Sequence, residues 1–353
     1  MTTGAVHEPA PTARSPVERS AWLAALESSS EALAFHTPDW IDCICESDRY
    51  SDASRLYDFG DGRELIVPLV RRRTSPNRLA SAASLPYGWG FGGPVGAGEV
   101  RNDEIAAVLE DLGRDTALST SVRPNPLVAS AAVPPAGLSV TLIRRSAHVL
   151  ELEGDFEHVQ RGFSSSGRRN LRKAEQSSLT LDSDCSGRLV SVFYELYLKS
   201  VKRWSEERRV PALARARLRR RDSLRKFEIV ARRMGEACRI WVAWLDERPA
   251  AAIIVLTQGV NASYWRGAMD REVAGPARAN FLLHSLAIEE ACRAGRRYYH
   301  MGETDPSSSL ARFKAHFGAE ARPYIEYRLE SPRIIAARDG LRRARRLLRR
   351  SKA

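Results

Sequence analysis

The residues whose side chains are best suited to catalysis surround a glycine turn late in the chain. His300, Glu303 and Asp305 lie close together around Gly302. Each of these side chains could accept a proton from an attacking amine, because imidazole and carboxylate groups are common general bases. Glu303 is the preferred candidate for this polar role, and His300 joins it in the predicted catalytic set. A buried structural histidine is the alternative interpretation of His300.

Basic residues form patches along the chain, whose net charge is +12. Arg168, Arg169, Arg172 and Lys173 form one cluster near the start of a predicted helix. Residues 199–233 carry fourteen basic and four acidic residues, and residues 331–353 carry nine basic residues and one acidic residue. Such patches attract phosphates, whether of nucleic acid, CoA or anionic lipid. A solvated, arginine-rich surface is the alternative.

Several classes of protein are excluded by what the sequence lacks. The five cysteines are scattered and show no paired C-x-x-C spacing, so neither a disulfide framework nor a metal site is expected. The apolar run at residues 250–256 is far shorter than the roughly 20 residues of a membrane-spanning helix. The first residues contain no apolar segment typical of a secretory signal. The sequence therefore predicts a cytoplasmic protein.

The pattern of apolar and turn residues predicts an ordered series of elements. In the first half, it predicts helices over 19–30, from Thr37 and over 99–112, and a hairpin over 54–70. In the second half, the elements are helices over 156–175, 188–203 and 213–234, strands over 239–245, 251–257 and 262–268, a helix over 278–294, a strand over 297–301, a helix over 309–317 and a strand over 322–329. The three consecutive strands predict an antiparallel meander.

This order resembles the GNAT acyltransferase fold, and three motifs resemble the FemABX-like transferases in particular. Residues 162–179 (GFSSSGRRNLRKAEQSSL) are similar to the segment that opens the family's second domain, and residues 194–204 (YELYLKSVKRW) to its following helix. Residues 297–318 (RYYHMGETDPSSSLARFKAHFG) resemble its closing motif, a strand, a glycine turn and a helix with Phe-Lys and Phe-Gly. The resemblance implies a tandem GNAT fold, a mixed α/β class in which two mixed sheets are flanked by helices.

The resemblance also implies roles for residues in these motifs. Lys314 is at the position of the family's Phe-Lys lysine, which lines the acyl-donor pocket, and Phe313 would form part of the pocket wall. A fixed ammonium there could neutralise a developing oxyanion or a phosphate. Arg203 would bind an acceptor phosphate or carboxylate with its guanidinium fork. Trp204 replaces the small or acidic residue that is usual after this arginine, which indicates a different acceptor.

The donor site is less clear from the sequence. Tyr264 and Trp265 lie in the third strand of the meander, which borders the acyl donor in GNAT folds, so both are predicted to bind substrate. Simple GNAT enzymes hold the CoA pyrophosphate with Gln/Arg-x-x-Gly-x-Gly/Ala before a helix. Residues 272–277 retain Gly275, but the first position is Glu272 and Pro276 lacks an N–H. Gly275 and the four-residue basic cluster are the predicted donor-phosphate ligands.

These observations predict an acyltransferase without a resident cofactor. The domains are predicted as a disordered leader (1–14), an N-terminal GNAT-like domain (15–145), a C-terminal GNAT-like domain with the donor site (146–330) and a basic tail (331–353). The preferred donor is aminoacyl-tRNA, with an amine or hydroxyl acceptor such as a peptidoglycan precursor or a specialised metabolite, and the tail could contact tRNA or an anionic membrane. The alternatives are an acyl-CoA-dependent N- or O-acetyltransferase acting on a polysaccharide or small amine, and a non-catalytic binding protein.

Overall fold

The computed structural model describes residues 11–331, except 61, 74–79, 116, 129–131 and 208–220. Within these residues the chain forms two compact units. Unit 1 contains residues 11–31, 49–144 and 324–331, and unit 2 contains residues 32–48 and 145–323. The predicted boundaries place residues 32–48 in the first domain and residues from 324 in the second. The predicted tail lies, beyond residue 331, outside the described residues.

The helices and strands follow the predicted order closely. The strands are β1 (Thr12–Arg14), β2 (Tyr50–Asp52), β3 (Arg55–Asp58), β4 (Glu64–Val67), β5 (Val70–Arg72), β6 (Ser81–Ala83), β7 (Val95–Gly96), β8 (Ser119–Val122), β9 (Val140–Glu151), β10 (Leu179–Asp184), β11 (Cys238–Leu245), β12 (Arg248–Gln258), β13 (Asn261–Met269), β14 (Tyr298–Glu303) and β15 (Glu320–Glu330). The helices are α1 (Arg19–Glu27), α2 (Pro38–Ser47), α3 (Asn102–Gly113), α4 (Phe156–Arg161), α5 (Ser165–Glu175), α6 (Val190–Glu207), α7 (Leu224–Met234), α8 (Arg271–Ala277), α9 (Ala279–Arg293) and α10 (Ser309–Ala315). None of these helices combines the length and hydrophobicity needed to cross a bilayer.

Unit 1 contains a four-stranded sheet in the order β1-β3-β4-β7 and a second run of strands in the order β15-β8-β6-β5-β2. The predicted hairpin is present as β3 and β4, which pair antiparallel. The predicted disorder reaches residue 14, whereas Thr12–Arg14 pair with β3. This correction has a local cause, because the Arg14 guanidinium donates to the Glu64 carboxylate of β4 at 3.0 Å.

Unit 2 is built on a mixed sheet in the order β10-β11-β12-β13-β14-β9. Strands β10 to β13 pair antiparallel, which confirms the predicted meander. Strand β14 pairs parallel with β13 on one side and antiparallel with β9 on the other. A parallel neighbour requires a crossover connection, which helices α8 and α9 provide.

Helix boundaries in unit 2 are set by capping residues that interrupt longer apolar patterns. The single helix predicted over 156–175 is two helices, because Ser164 breaks the run and its hydroxyl accepts the Gly167 N–H at 3.0 Å. Of the helix predicted over 213–234, residues 213–220 lie outside the described residues, and Ser223 caps α7. The predicted start at Thr37 is confirmed, since its hydroxyl accepts the Trp40 N–H.

Candidate active site

The central feature of unit 2 is a fork between two parallel strands. Strands β13 and β14 pair at three positions, ending at Ser263 and His300. Beyond them, residues 264–269 of β13 continue to pair with β12, and residues 301–303 of β14 continue to pair with β9. Residues 264–269 and residues 301–303 are no longer paired with each other, and we call these two segments the arms of the fork. A gap between strands exposes backbone groups that an extended ligand can bind.

Lys314 of α10 closes one arm of the fork. Its side chain is only 2% exposed, and Nζ donates to the carbonyl oxygens of Gly302 at 2.8 Å and Glu303 at 3.4 Å. It also donates to the Thr304 hydroxyl. Gly302 has a φ of +78°, a left-handed conformation that favours glycine. Lys314 therefore holds the backbone at the tip of β14.

Burial determines the charge state of this lysine. It lowers the pKa of Lys314 to about 7, although the Glu303 carboxylate opposes the shift. The Glu303 side chain is itself partly buried, and Arg145 of β9 donates to it at 3.2 Å. Lys314 and Glu303, both predicted as catalytic, are thus brought together in the structure. When Lys314 is protonated, its ammonium group at this position can stabilise developing negative charge.

A cluster of aromatic side chains lies beside the fork. The Tyr264 ring meets His284 of α9 edge-on at 4.7 Å between centroids, and His284 meets Phe313 at 5.4 Å. The Tyr264 hydroxyl lies where a side chain at Gly267 would be, since a Cβ there would come within 2.2 Å of it. Tyr264 and Phe313, predicted as substrate ligands, therefore belong to one cluster beside the fork.

His300 and Trp265 are placed elsewhere by strand alternation. His300 is 1% exposed and bonds through Nε2 to the Asn261 side chain at 3.0 Å. Burial, with a smaller contribution from His36, lowers the pKa of His300 to about 3. Trp265 is buried edge-on against Trp40 of α2 at 5.1 Å. The geometry around both residues is that of core side chains, so it does not bring them to Lys314.

Arg203 lies on α6 near the open end of β13. Its guanidinium approaches the Met269 carbonyl at 3.5 Å and lies 3.9 Å from the Glu207 carboxylate. It also covers the Trp204 ring at 5.9 Å. The side chain is partly buried, with 19% exposed. Arg203 thus stands at the end of the fork arm formed by residues 264–269.

The predicted basic cluster lies on the exposed side of α5. The cluster consists of Arg168, Arg169, Arg172 and Lys173. None of these four cations forms an ion pair with a carboxylate of the described residues. Arg168 instead donates to the Arg161 and Phe163 carbonyl oxygens. This contrasts with the arginines of α7, since Arg232 and Arg233 both contact the Glu46 carboxylate.

Hydrogen bonds connect the start of helix α5 to the C-terminal end of α10. The Ser164 N–H donates to the His316 carbonyl at 3.0 Å, and the two side chains meet at 2.9 Å. Gly167 packs against the same carbonyl so closely that a Cβ would come within 2.3 Å of the oxygen. The unpaired cations of α5 therefore lie on the helix that is joined to the Lys314 helix.

Gly167→Ala is expected to lower the free energy of unfolding by about 1–3 kcal/mol, because the added methyl group must push α5 away from the His316 carbonyl. Urea denaturation of the purified proteins measures this change. Gly275→Ala is the matched control, since a Cβ there meets nothing within 4 Å and alanine favours a helix. Equal stability of Gly167→Ala and the wild type would contradict the close packing.

The predicted phosphate cradle around Gly275, expected to precede a helix, is itself helical. Residues 271–277 form helix α8, and Arg278, with a φ of +56°, joins it to α9. The Asp270 carboxylate caps α8 by accepting the Glu272 N–H at 3.2 Å, and it pairs with Lys199 at 2.7 Å. The anion position at this helix N-terminus is therefore filled by a side chain of the protein itself.

Sequence analysis does not single out His148 or Thr304 as parts of the site. His148 lies on β9 directly opposite Gly302, and its side chain is 4% exposed. Thr304 is recognisable only through its contact with Lys314. No local motif marks either residue, because their positions depend on the pairing of β9 with β14.

Comparisons with known proteins agree with this description of the fold. Residues 161–315 match the family model described as "Acetyltransferase (GNAT) domain". No curated protein sequence matches the chain. The chain is similar to the crystal structure of FemX, with a TM-score of 0.65 and 12% identity over 90% of this chain and 97% of that one. It is also similar to a conserved protein of unknown function from Bacteroides thetaiotaomicron, with a TM-score of 0.52 and 11% identity over 89% and 96% of the two chains.

The structural likenesses concern the fold, because their sequence identities are low. They confirm the predicted mixed α/β tandem GNAT fold, and the domain match confirms that the chain is an enzyme that transfers acyl groups. The chain therefore contains a GNAT acetyltransferase domain at residues 161–315, and its fold resembles that of FemX.

Proposed function

We propose that the chain transfers an aminoacyl group from aminoacyl-tRNA to an amine or hydroxyl acceptor. The observation that carries this proposal is the unpaired basic face of α5, attached to the helix that bears Lys314. A polyanionic donor bound along α5 would have its acyl end close to the fork. Phosphate contacts by exposed lysine and arginine supply most of the affinity of proteins for nucleic acids.

The segment before α9 argues against CoA as the donor. A CoA pyrophosphate needs free N–H groups at a helix N-terminus. Here the Asp270 carboxylate occupies the start of α8, and Arg278 donates its N–H within the helix end to Ala274 and Gly275. Pro276 contributes no N–H. The donor phosphates are therefore proposed to contact α5, and Gly275 is not a ligand in this proposal.

The proposed reaction needs no covalent enzyme intermediate. The acceptor nitrogen or oxygen attacks the ester carbonyl, and the carbonyl oxygen gains negative charge. Lys314 holds a positive charge beside Gly302 and Glu303, where it would stabilise that oxyanion. Tyr264 and Phe313 would form an apolar wall for the acyl group, and water would be excluded from the fork by their aromatic cluster.

Arg203 is proposed to bind the acceptor. It lies at the open end of the fork, and a guanidinium binds carboxylate or phosphate with two parallel hydrogen bonds. A peptidoglycan precursor carries both groups, and a specialised metabolite with a carboxylate would fit the same residue. Because aminoacyl-tRNA is made in the cytoplasm, the proposal places the enzyme there. The proposed contact of the basic tail with an anionic membrane concerns residues outside the described ranges.

Thermal unfolding tests the donor. The melting temperature of the purified protein is measured with acetyl-CoA, a long-chain acyl-CoA, bare tRNA and aminoacylated tRNA. A ligand at 100 times its dissociation constant stabilises the folded state by about 2.7 kcal/mol. We expect stabilisation by tRNA that is larger for the aminoacylated form and weakens with salt. Stabilisation by acyl-CoA alone would overturn the proposal and assign an acyl-CoA-dependent reaction.

A further inference from the structure

His148 lies in the fork region with a nitrogen that has no hydrogen-bond partner. The residue is directly opposite Gly302, the residue whose carbonyl oxygen binds Lys314. Its side chain is 96% buried, and Nδ1 is enclosed without a hydrogen-bond partner among the described residues. Buried polar groups are nearly always satisfied, and Nδ1 of His300 is also without a partner in the described part of the chain, so it is the position opposite Gly302 that relates His148 to the site.

Strand alternation places His148 on the face that carries Lys314. His148 is two residues from Leu150, which packs in the core of unit 2 and lies next to Gly318 after α10. Its neighbour across the ladder, Gly302, has no side chain, so the imidazole is not covered from β14. His300, by contrast, is opposite Val149, whose side chain alternates to the other face.

The surroundings of His148 favour its neutral form. Burial lowers the pKa of His148, and the charge of Lys314 lowers it further. Burial also lowers the pKa of His284, and the Lys314 charge adds to that shift, so Lys314 acts on imidazoles from two elements. The other charged groups near the tip of β14 are Glu303 and Arg145, which pair with each other at 3.2 Å. A neutral imidazole can take a proton, whereas an imidazolium cannot.

We propose that His148 accepts the proton that the attacking amine releases. The inference rests on the proposed location of the acyl group in the fork. The amine nitrogen forms a bond to the carbonyl carbon, and the ester bond between that carbon and the tRNA ribose oxygen breaks. The proton moves from the nitrogen to His148 and then to the departing ribose oxygen. Lys314 stabilises the intermediate oxyanion, and His148 ends the cycle neutral, so that no other reactant is needed.

The test compares His148→Gln with the wild type over about pH 5 to 9. Transfer is measured from aminoacyl-tRNA, and in parallel from acetyl-CoA, to the small amine glycinamide. We expect the wild-type rate to fall at acid pH, and we expect His148→Gln to lower the rate by about 10²-fold and to lose this fall. The fall occurs because a protonated imidazole cannot accept a proton. Imidazole added to His148→Ala should restore part of the rate.

The matched control is His158→Gln, which alters an exposed histidine on α4 and should keep the wild-type profile. A uniform loss of rate in His148→Gln, with the acid limb unchanged and no rescue by imidazole, would overturn the proposal. Transfer from acetyl-CoA but not from aminoacyl-tRNA would refute the proposed donor, while the same rate ratio would still test His148.

A substrate-independent measurement covers the case in which glycinamide accepts neither group. Nitrogen NMR of the histidine rings gives the pKa of His148 in the wild type and in Lys314→Met. We expect the pKa of His148 to rise when the Lys314 charge is removed. Identical pKa values of His148 in the two proteins would overturn the electrostatic interaction with Lys314 on which the inference depends.

Discussion

Replacement of Lys314 by methionine is expected to lower kcat for acyl transfer by about 10²- to 10³-fold. Methionine has a similar length but neither the positive charge nor the hydrogen bonds to Gly302, Glu303 and Thr304. The loss falls mainly on kcat, because the oxyanion exists only in the transition state and the intermediate. Single-turnover transfer from the donor that binds in the thermal experiment measures the change.

The wild-type rate is also expected to fall as the pH rises through about 7. The ammonium form of Lys314 stabilises the oxyanion, and its pKa is lowered from 10.5 to about 7 by burial. The charge is therefore present below pH 7 and is lost above it. Together with the acid limb assigned to His148, this predicts a bell-shaped dependence on pH, whose alkaline limb is absent in Lys314→Met.

Lys226→Met is the matched control for removing a buried lysine. Lys226 is also 2% exposed, but it pairs with Asp222 at 2.7 Å and lies over the ring of Trp265, a core side chain that does not reach Lys314. Arg221 and Arg266 remain beside Asp222 in this variant. We expect Lys226→Met to change stability and to leave kcat per folded molecule as in the wild type. Similar losses of kcat in the two variants would show that Lys314 acts only through folding.

Removing the positive charges of α5 is expected to abolish most of the salt dependence of tRNA binding. Each phosphate contact contributes about 0.7–0.9 to the slope of log affinity against log salt. Alanine at Arg168, Arg169, Arg172 and Lys173 should therefore reduce the slope by about three. Between 50 and 200 mM salt, the wild type would lose about 60-fold more affinity than the variant.

Filter binding of labelled aminoacyl-tRNA over a salt series measures both slopes. The control variant is Arg232→Ala/Arg233→Ala, which removes two arginines that already pair with the carboxylates of Glu46 and Asp42. Its slope should match that of the wild type. If the α5 variant and the wild type have equal slopes, the tRNA phosphates do not contact this helix.

Local patterns in the sequence were sufficient for most of the fold. The meander β11–β13 follows from alternating apolar residues and from two short turns, at Asp246-Glu247 and at Gly259-Val260. Such signals are local, since each depends on a few neighbouring residues. The break after α4 was missed because Gly162, Phe163 and Ser164 fit a helical pattern until the Ser164 cap is considered.

The site could be predicted only in part, because it depends on pairing between distant strands. Lys314, Phe313 and Tyr264 were predicted from the family resemblance and Glu303 from its residue type beside the glycine turn, and all four lie beside the fork. The cradle around Gly275 was predicted to precede the helix over 278–294, whereas residues 271–277 form a helix of their own that Asp270 caps. Residues such as His148 are defined by a cross-strand neighbour far away in sequence, and no local pattern contains that information.

The inclusion of residues 32–48 in unit 2 has a consequence for protein synthesis. Trp40 packs against Trp265, and Glu46 pairs with Arg232 and Arg233. Trp40 leaves the ribosome long before Trp265 is translated. The core of unit 2 therefore stays incomplete while residues 49–144 of unit 1 are synthesised. An expressed fragment that begins at residue 145 would expose the Trp265 surface. The GNAT domain of this enzyme therefore cannot be excised as one continuous segment without losing part of its core.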